Sequence, residues 1–566
     1  MAPADADYRV SQSGGPSSGL SRPAKFSCQA PGKTNSPPGY LVKPTLAAMH
    51  APLALPAMDG LYSPHAANQN GPEAATMTDD LTLSIDLGTS SVRAALVDRR
   101  GTIRSLASRG FVQTVPRFGW AEQSATAWWQ ATEAAIGEVM QAAAAPVVAV
   151  CACGQMHGTV LVDARGELAS DRVLLWNDKR AAPQVEAWEG AHPFTSHAET
   201  TANPATPAWP GFKLAWLRAH APEEMARAAA VLTPKDFINL QLTGVAATDW
   251  SEASASFMAD SRTGRWSDEV VASLGLRRDL LPRILDASAV IGHVTAQAAR
   301  ATGLPAGIPV PAGGGDLPVA LIGSGVAAPG LGSDIAGTSA IATLVRTAPL
   351  LDPAVANVAL PGGLWGAFTL VDAGGDAIRW AARAIGDGVP ESAIEAAAAG
   401  SDGLFFLPFL SGERMPPARN SRAQFFGLTT SHGTAEMNRA VLEGIAFALH
   451  RQFEPIARLG GRPERFVAAG GGGRSDLWLR IKASVYGVPI LVPRVLETGV
   501  VGCAILCRQA LGEGRLPDLM GRMTAIDREV LPVPEWADPY ARMLPVYSHI
   551  VEAMRPLYAE LDGLER

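Results

Sequence analysis

Long apolar runs are missing from this chain. None approaches the ~18–20 residues that a membrane-spanning helix needs, and the longest, 142–153 and 404–410, read as buried strands. There is no signal-peptide hydrophobic core at the start. Basic clusters are lacking too. Lys and Arg number 47 against 54 Asp and Glu, and a net charge of −7 without a basic stripe excludes a nucleic-acid binder. Cysteine is scarce. Cys28, Cys151, Cys153, Cys503 and Cys507 form an odd-numbered set whose spacings fit no zinc pattern. Cys151 and Cys153 fall on one face of a strand, and Cys503 and Cys507 on one face of a helix. Reduced, structural thiols in a cytoplasmic protein are the expectation.

What the chain has is length and apolar content. Its 566 residues are 47% hydrophobic and 18% charged, which describes a globular protein of more than one domain. Residues 1–78 read differently. They are rich in Pro, Gly, Ser and Ala without a sustained period, and disorder is expected there. Gly32, Lys33 and Thr34 resemble the end of a Walker A motif, but Ser27 stands where its upstream glycine belongs. Met77 directly precedes the first strand pattern and reads as the natural start. A chain lacking 1–76 is expected to fold and act.

The organising stretch is Ile85, Asp86, Leu87, Gly88, Thr89, Ser90 and Ser91, between two strand-like runs. A Gly-Thr-Ser turn offers backbone N–H groups and hydroxyls that suit phosphate oxygens. Asp86, at the strand end, is placed to hold a metal through water. One such hairpin is equally a plain turn. Its echo, Ala336, Gly337, Thr338 and Ser339 between strands, changes that reading. Two such hairpins imply a duplicated fold holding one nucleotide between its halves, a plan that resembles the actin, chaperone-ATPase and sugar-kinase superfamily.

Other candidates follow in chain order. Ser124 caps a helix whose Trp129, Ile136, Val139 and Met140 share a face. A buried strand ending near Cys151 leads into Gly154, Gln155, Met156, His157 and Gly158, polar residues at a core strand's C-terminal end, where α/β folds place ligands. Asp178 and Arg180 are either a surface pair or braces of the same pocket. From Lys213 to Arg300 helical patterns dominate and are expected to wall the substrate side. A strand then leads into Gly313, Gly314, Gly315 and Asp316. Asp316 is either a helix N-cap or a carboxylate that accepts a proton from a hydroxyl attacking a phosphoryl group. Later Gly470, Gly471, Gly472, Gly473, Arg474 and Ser475 open a helix bearing Leu477, Trp478, Ile481 and Val485. That turn is either a nucleotide cradle or tight strand–helix packing.

These motifs resemble the FGGY carbohydrate kinase family, most closely its xylulokinase branch, over roughly Leu81 to Gly512. The family signature is nearly whole: Ala423, Gln424, Phe425, Phe426, Gly427 and Leu428, seven residues, then Glu436 to Glu443. The resemblance implies an α/β fold of two ribonuclease-H-like (actin-like ATPase) domains with a cleft between them. It implies domains at 79–326 and 327–515, with a helical tail, 516–566, packed on the second. It implies ATP and Mg²⁺, and a ketose phosphorylated at its terminal hydroxyl. Asp316 would be the base, with Gln155, Met156, His157 and Asp178 on the sugar. Asp86 would serve metal and phosphate, and Gly88, Thr89 and Ser90 the first phosphate loop. Gly337 and Thr338 would form the second loop, with Gly471, Gly472, Gly473, Arg474 and Ser475 on the adenosine side. No nucleic-acid or membrane partner is implied, and a homodimer is admitted.

One residue departs from the pattern. Xylulokinases carry Asn directly after the catalytic Asp, where this chain has Leu317. A sugar hydroxyl left unpaired there would cost ~1–3 kcal/mol. D-xylulose therefore competes with ribulose, a hexulose or a sugar alcohol as the acceptor. A non-catalytic nucleotide-dependent clamp or sugar sensor is the other class of reading.

Overall fold

The computed structural model describes residues 80–564 apart from Phe118, Asp387 and 415–419. The expectations for 1–78, including Cys28, lie outside the described residues. The first half is built on β1 (Leu81–Leu87), β2 (Ser91–Val97), β3 (Ile103–Gly110), α1 (Ala125–Gln141) and β4 (Val147–Gly154). An insert follows, containing α2 (Pro210–His220) and α3 (Pro234–Thr243). It returns through β5 (Gly314–Gly315) into α4 (Asp316–Gly323). The sheet order is β5-β4-β1-β2-β3, with β1–β2–β3 antiparallel and β4 and β5 parallel to β1.

Sequence sets these elements locally. Ser124 caps α1 through its hydroxyl, which accepts from the Ala127 N–H at 3.0 Å. β1 alternates apolar and polar residues yet is covered on both faces, with Thr82 and Ser84 as fully buried as the leucines. Leu83, Ile85 and Leu87 pack with Trp128, Ile136 and Val139 of α1. The insert is less helical than its pattern suggests. Short strands at Ala230–Leu232, Ala247–Asp249 and Val290–His293 interrupt it. Ala230–Leu232 pairs with Val160–Val162, a partner far away in sequence, and three residues are too few to show a period.

The second half repeats the plan. It comprises β6 (Gly332–Ala336), β7 (Ala340–Arg346), β8 (Ala356–Leu360), β9 (Leu364–Val371), α5 (Thr434–Gly460), β10 (Phe466–Ala469), α6 (Asp476–Tyr486), β11 (Ile490–Pro493) and α7 (Thr498–Ala510). β12 (Ile526–Val530) and α8 (Pro534–Leu564) complete it. The order is β8-β9-β7-β6-β10-β11-β12, again a hairpin beside parallel crossovers.

The two halves exchange helices. Leu317 and Leu321 of α4 pack with Phe368 and Leu370 of the second sheet. Val500, Val501, Cys503 and Cys507 of α7 pack with Ala95, Val97, Cys151 and Cys153 of the first. Where α4 meets α7 the backbones touch. A Cβ on Gly323 would collide with the Thr498 carbonyl, and one on Gly502 with the Val319 carbonyl. Cys151, Cys153, Cys503 and Cys507 are free thiols, all buried, and share this one core cluster.

Candidate active site

One cleft of about 370 Å³ collects residues from both halves. The β1–β2 turn contributes Gly88, Thr89, Ser90 and Ser91, and the β6–β7 turn contributes Gly337, Thr338 and Ser339. Each turn is closed by its glycine, the first one residue wider than the second: the Gly88 N–H donates to the Ser91 carbonyl at 3.0 Å, and the Gly337 N–H to the Ser339 carbonyl at 2.9 Å. Asp86, Met156, His157 and Asp316 line the same space, as do Gly471 and Arg474. A Cβ at Gly337 or Gly471 would meet nothing within 4 Å, so both glycines leave room for a ligand against the backbone.

Asp316 opens α4, and its Oδ1 accepts from the Leu317 N–H at 2.8 Å. It is therefore both a helix-start residue and a cleft residue. Burial pushes its carboxyl up to about 7. The charge of Asp86 adds to this, while the Leu317 N–H and Arg414 oppose it. A buried network fixes the peptide before it. The Gly315 N–H donates to Ser251 Oγ at 3.0 Å, and that hydroxyl donates to Asp249 Oδ2 at 2.5 Å. Lys235 lies 2.9 Å from Asp249 and 2.5 Å from Asp236, and it also donates to the Ala312 carbonyl at 3.0 Å. Lys235, Asp236 and Asp249 therefore sit behind the carboxylate as its support rather than forming the substrate wall.

Several expected contacts are not at the cleft. Gln155 is buried, and its Nε2 donates to Gln123 Oε1 at 2.9 Å, while Gln123 Nε2 donates to the Thr89 carbonyl at 2.6 Å. It braces the first turn from behind. Asp178 is also buried. It accepts from the Ala121 N–H at 2.7 Å and pairs with Arg180 at 2.7 Å, whose guanidinium lies 3.7 Å from the Trp120 ring. Gly472 packs on Ala336 and Trp478, and Gly473 on Leu496. Ser475 caps α6, accepting from the Trp478 N–H at 3.2 Å. Of the Gly-rich turn, only Gly470, Gly471 and Arg474 line the cleft, and the strand–helix packing reading describes the rest.

The cleft also holds residues that sequence reasoning missed. Arg93 donates to Asp86 Oδ2 at 3.2 Å. Trp176 donates from Nε1 to Thr89 Oγ1 at 2.9 Å, tying its own stretch to the first Gly-Thr-Ser turn. Arg414 bonds to Asp372 at 2.7 Å and lies 4.6 Å over Trp176. Arg93 and Trp176 stand near recognised motifs, Arg93 just after the first Gly-Thr-Ser turn and Trp176 two residues before Asp178; Arg414 comes from an irregular loop that carries no period. Asp86 suits a metal carried in with phosphates. Its carboxylate, 15% exposed, lines the cleft beside Gly499, the second residue of α7. Among the described residues no group of three or more His, Cys, Asp or Glu forms a metal cage by itself.

Two mirrored hairpins around one cleft, with a carboxylate of raised pKa at its floor, define the two-lobed, actin-like sugar-kinase class. The models of the FGGY family of carbohydrate kinases match in sequence, the N-terminal domain over residues 81–323 and the C-terminal domain over 333–511. The chain belongs to that family and is a xylulokinase-like carbohydrate kinase. It is 31% identical to the xylulose kinase of Escherichia coli (strain K12), covering 85% of this chain and 99% of the relative. The solved ligand-bound xylulose kinase of Lactobacillus acidophilus superposes with a TM-score of 0.79 at 26% identity, covering 85% of this chain and all 100% of the other. The gluconate kinase of the same organism superposes equally, with a TM-score of 0.79 at 26% identity over 86% of this chain and 100% of its own. No helix among the described residues is long and apolar enough to cross a membrane.

Proposed function

We propose that this protein transfers the γ-phosphoryl group of ATP to the terminal hydroxyl of a ketose, a pentulose such as D-xylulose, with Asp316 as general base. The observation that carries this reading is the Asp316 carboxyl, held near pKa 7 in the cleft that both Gly-Thr-Ser turns line. A carboxylate poised there takes the proton as the hydroxyl oxygen attacks phosphorus and the bond to ADP breaks. Gly88, Thr89, Ser90, Gly337 and Thr338 hold phosphate oxygens through N–H and hydroxyl donors, and Arg93 adds positive charge beside them. Mg²⁺, when bound through phosphate oxygens and Asp86, neutralises phosphate charge. Met156 and His157 face the acceptor, while Gly471 and Arg474 face the adenosine.

Leu317 lines the cleft without a hydrogen-bonding side chain, so it favours an acceptor whose facing carbon needs no polar partner. A coupled ADP-release screen over pentuloses, hexuloses, sugar alcohols and aldonates tests the reading. A ketose is expected to give the highest kcat/KM, and an aldonate or polyol giving it would overturn the ketose assignment. Leu317→Asn is expected to raise kcat/KM for D-xylulose about tenfold, the gain from pairing one buried hydroxyl.

A further inference from the structure

Lys213 is one of the largest fully buried side chains in the molecule. It stands on α2, and among the described residues no carboxylate lies within ion-pair distance of it and its one hydrogen bond runs from Nζ to the His157 carbonyl at 2.8 Å. An ammonium buried without a counter-ion destabilises a fold. Burial pushes its pKa down to about 7. Asp178 pulls it back up, and Arg414 and Arg180 press it further down.

His157, the residue Lys213 holds, is itself strained. Its φ is 67°, a left-handed conformation that a non-glycine residue adopts only when its surroundings impose it. The next position has room only for glycine, because a Cβ on Gly158 would meet the Pro234 ring at 2.6 Å. The His157 ring is fixed as well. Nδ1 lies 3.1 Å from the Ala255 carbonyl, and the ring meets Trp209 edge to face at 4.8 Å. Burial keeps the imidazole neutral, with the charges of Lys213 and Arg414 adding to the effect. A carbonyl only accepts, so Nδ1 carries the hydrogen and Nε2 is left with its lone pair.

We propose that Lys213 is a positioning residue for the acceptor: its buried Nζ, donating to the His157 carbonyl, pins that peptide in the left-handed conformation that turns the imidazole toward the cleft as a hydrogen-bond acceptor. Two consequences follow. The acceptor group that meets His157 is a hydroxyl, which can donate, and not a carboxylate or keto oxygen, which cannot. The stability lost by burying Lys213 is tied to function, so an apolar residue of similar length keeps the fold and loses the site. The proposal rests on His157 facing the acceptor, as argued under Proposed function.

The test has a spectroscopic arm and a kinetic arm, both on the full chain. Nitrogen-15 spectra of the 10 histidines, with His157→Ala supplying the assignment, are expected to show His157 as a fixed Nδ1–H tautomer that does not titrate between about pH 5 and 8. In Lys213→Met that signal moves to the average of a mobile ring, while the melting temperature stays at or above that of the parent. In the kinetic arm Lys213→Met raises the acceptor KM at least tenfold, leaves the ATP KM within about twofold, and adds nothing in a His157→Ala background. An Nε2–H tautomer in the parent protein overturns the proposal. So does an unchanged His157 signal in Lys213→Met, additive kinetic effects, or loss of the fold in both Lys213→Met and Lys213→Gln. A parent protein that turns over no acceptor sinks the ketose reading instead, and the histidine spectra still decide the role of Lys213.

Discussion

As the proposed base, Asp316 would work at the pH where its own carboxyl changes charge. With its pKa near 7 in the free protein, kcat/KM for the acceptor is expected to rise with pH and level off above about 7. The same shift acts on stability. The folded value lies above the ordinary 3.8, so the fold prefers the protonated acid. That contribution is complete below about pH 4 and is lost as pH rises through 7. Asp316→Asn, whose amide never ionises, is expected to melt a few degrees higher than the parent at pH 8 and with little difference at pH 4. Melting curves at the two pH values check this, and equal shifts at both would contradict the raised pKa. At this scale the sequence exposed Asp316, Met156 and His157, because glycines and a strand end flank each. It could not separate them from Gln155 and Asp178, which share the same neighbourhood. A strand end says where a residue lies, but not whether Gln123 or Arg180 already holds its polar atoms.

At the scale of elements, the two hairpins were legible because each carries its own turn chemistry. The exchange of α4 and α7 between sheets was not. Both helices read as ordinary apolar segments, and nothing local says which sheet an apolar face will meet. Only the close approach at Gly323 and Gly502 records it. Alanine at either position adds a methyl against a backbone carbonyl that cannot move aside as a side chain would. Gly502→Ala is expected to destabilise by about 1–3 kcal/mol, read as a lower urea midpoint with an unchanged slope. An unchanged midpoint would mean the helices separate more easily than the crossing implies. The cysteine pairs were likewise assigned to the correct faces of strand and helix. Their meeting in one cluster depends on that same exchange.

At the scale of the molecule, the family signature does structural work that its sequence does not disclose. Arg439 donates to Glu443 at 2.8 Å and to the Glu395 and Ala397 carbonyls at 3.0 and 2.9 Å. Glu443 also accepts from the Gly400 N–H at 3.0 Å and the Ser401 hydroxyl at 2.9 Å. Tyr540, from α8, closes the network: its hydroxyl donates to Glu443 at 2.8 Å and accepts from Arg439 at 3.1 Å. A buried set of this kind loses heavily when one member is removed. Tyr540→Phe is expected to cost about 1–3 kcal/mol of stability while leaving both substrate KM values within twofold, as equilibrium unfolding and steady-state kinetics would show. The signature therefore ties the last helix to the second half, and the proposed chemistry lies elsewhere, at Asp316 in the cleft.

The most direct test of that chemistry is single-turnover phosphoryl transfer by Asp316→Asn on the best acceptor, with acceptor and ATP binding measured by calorimetry on the same protein. The account expects the rate to fall by ~100-fold or more, with both dissociation constants close to the parent's. Turnover near the parental rate, with binding intact, would contradict it.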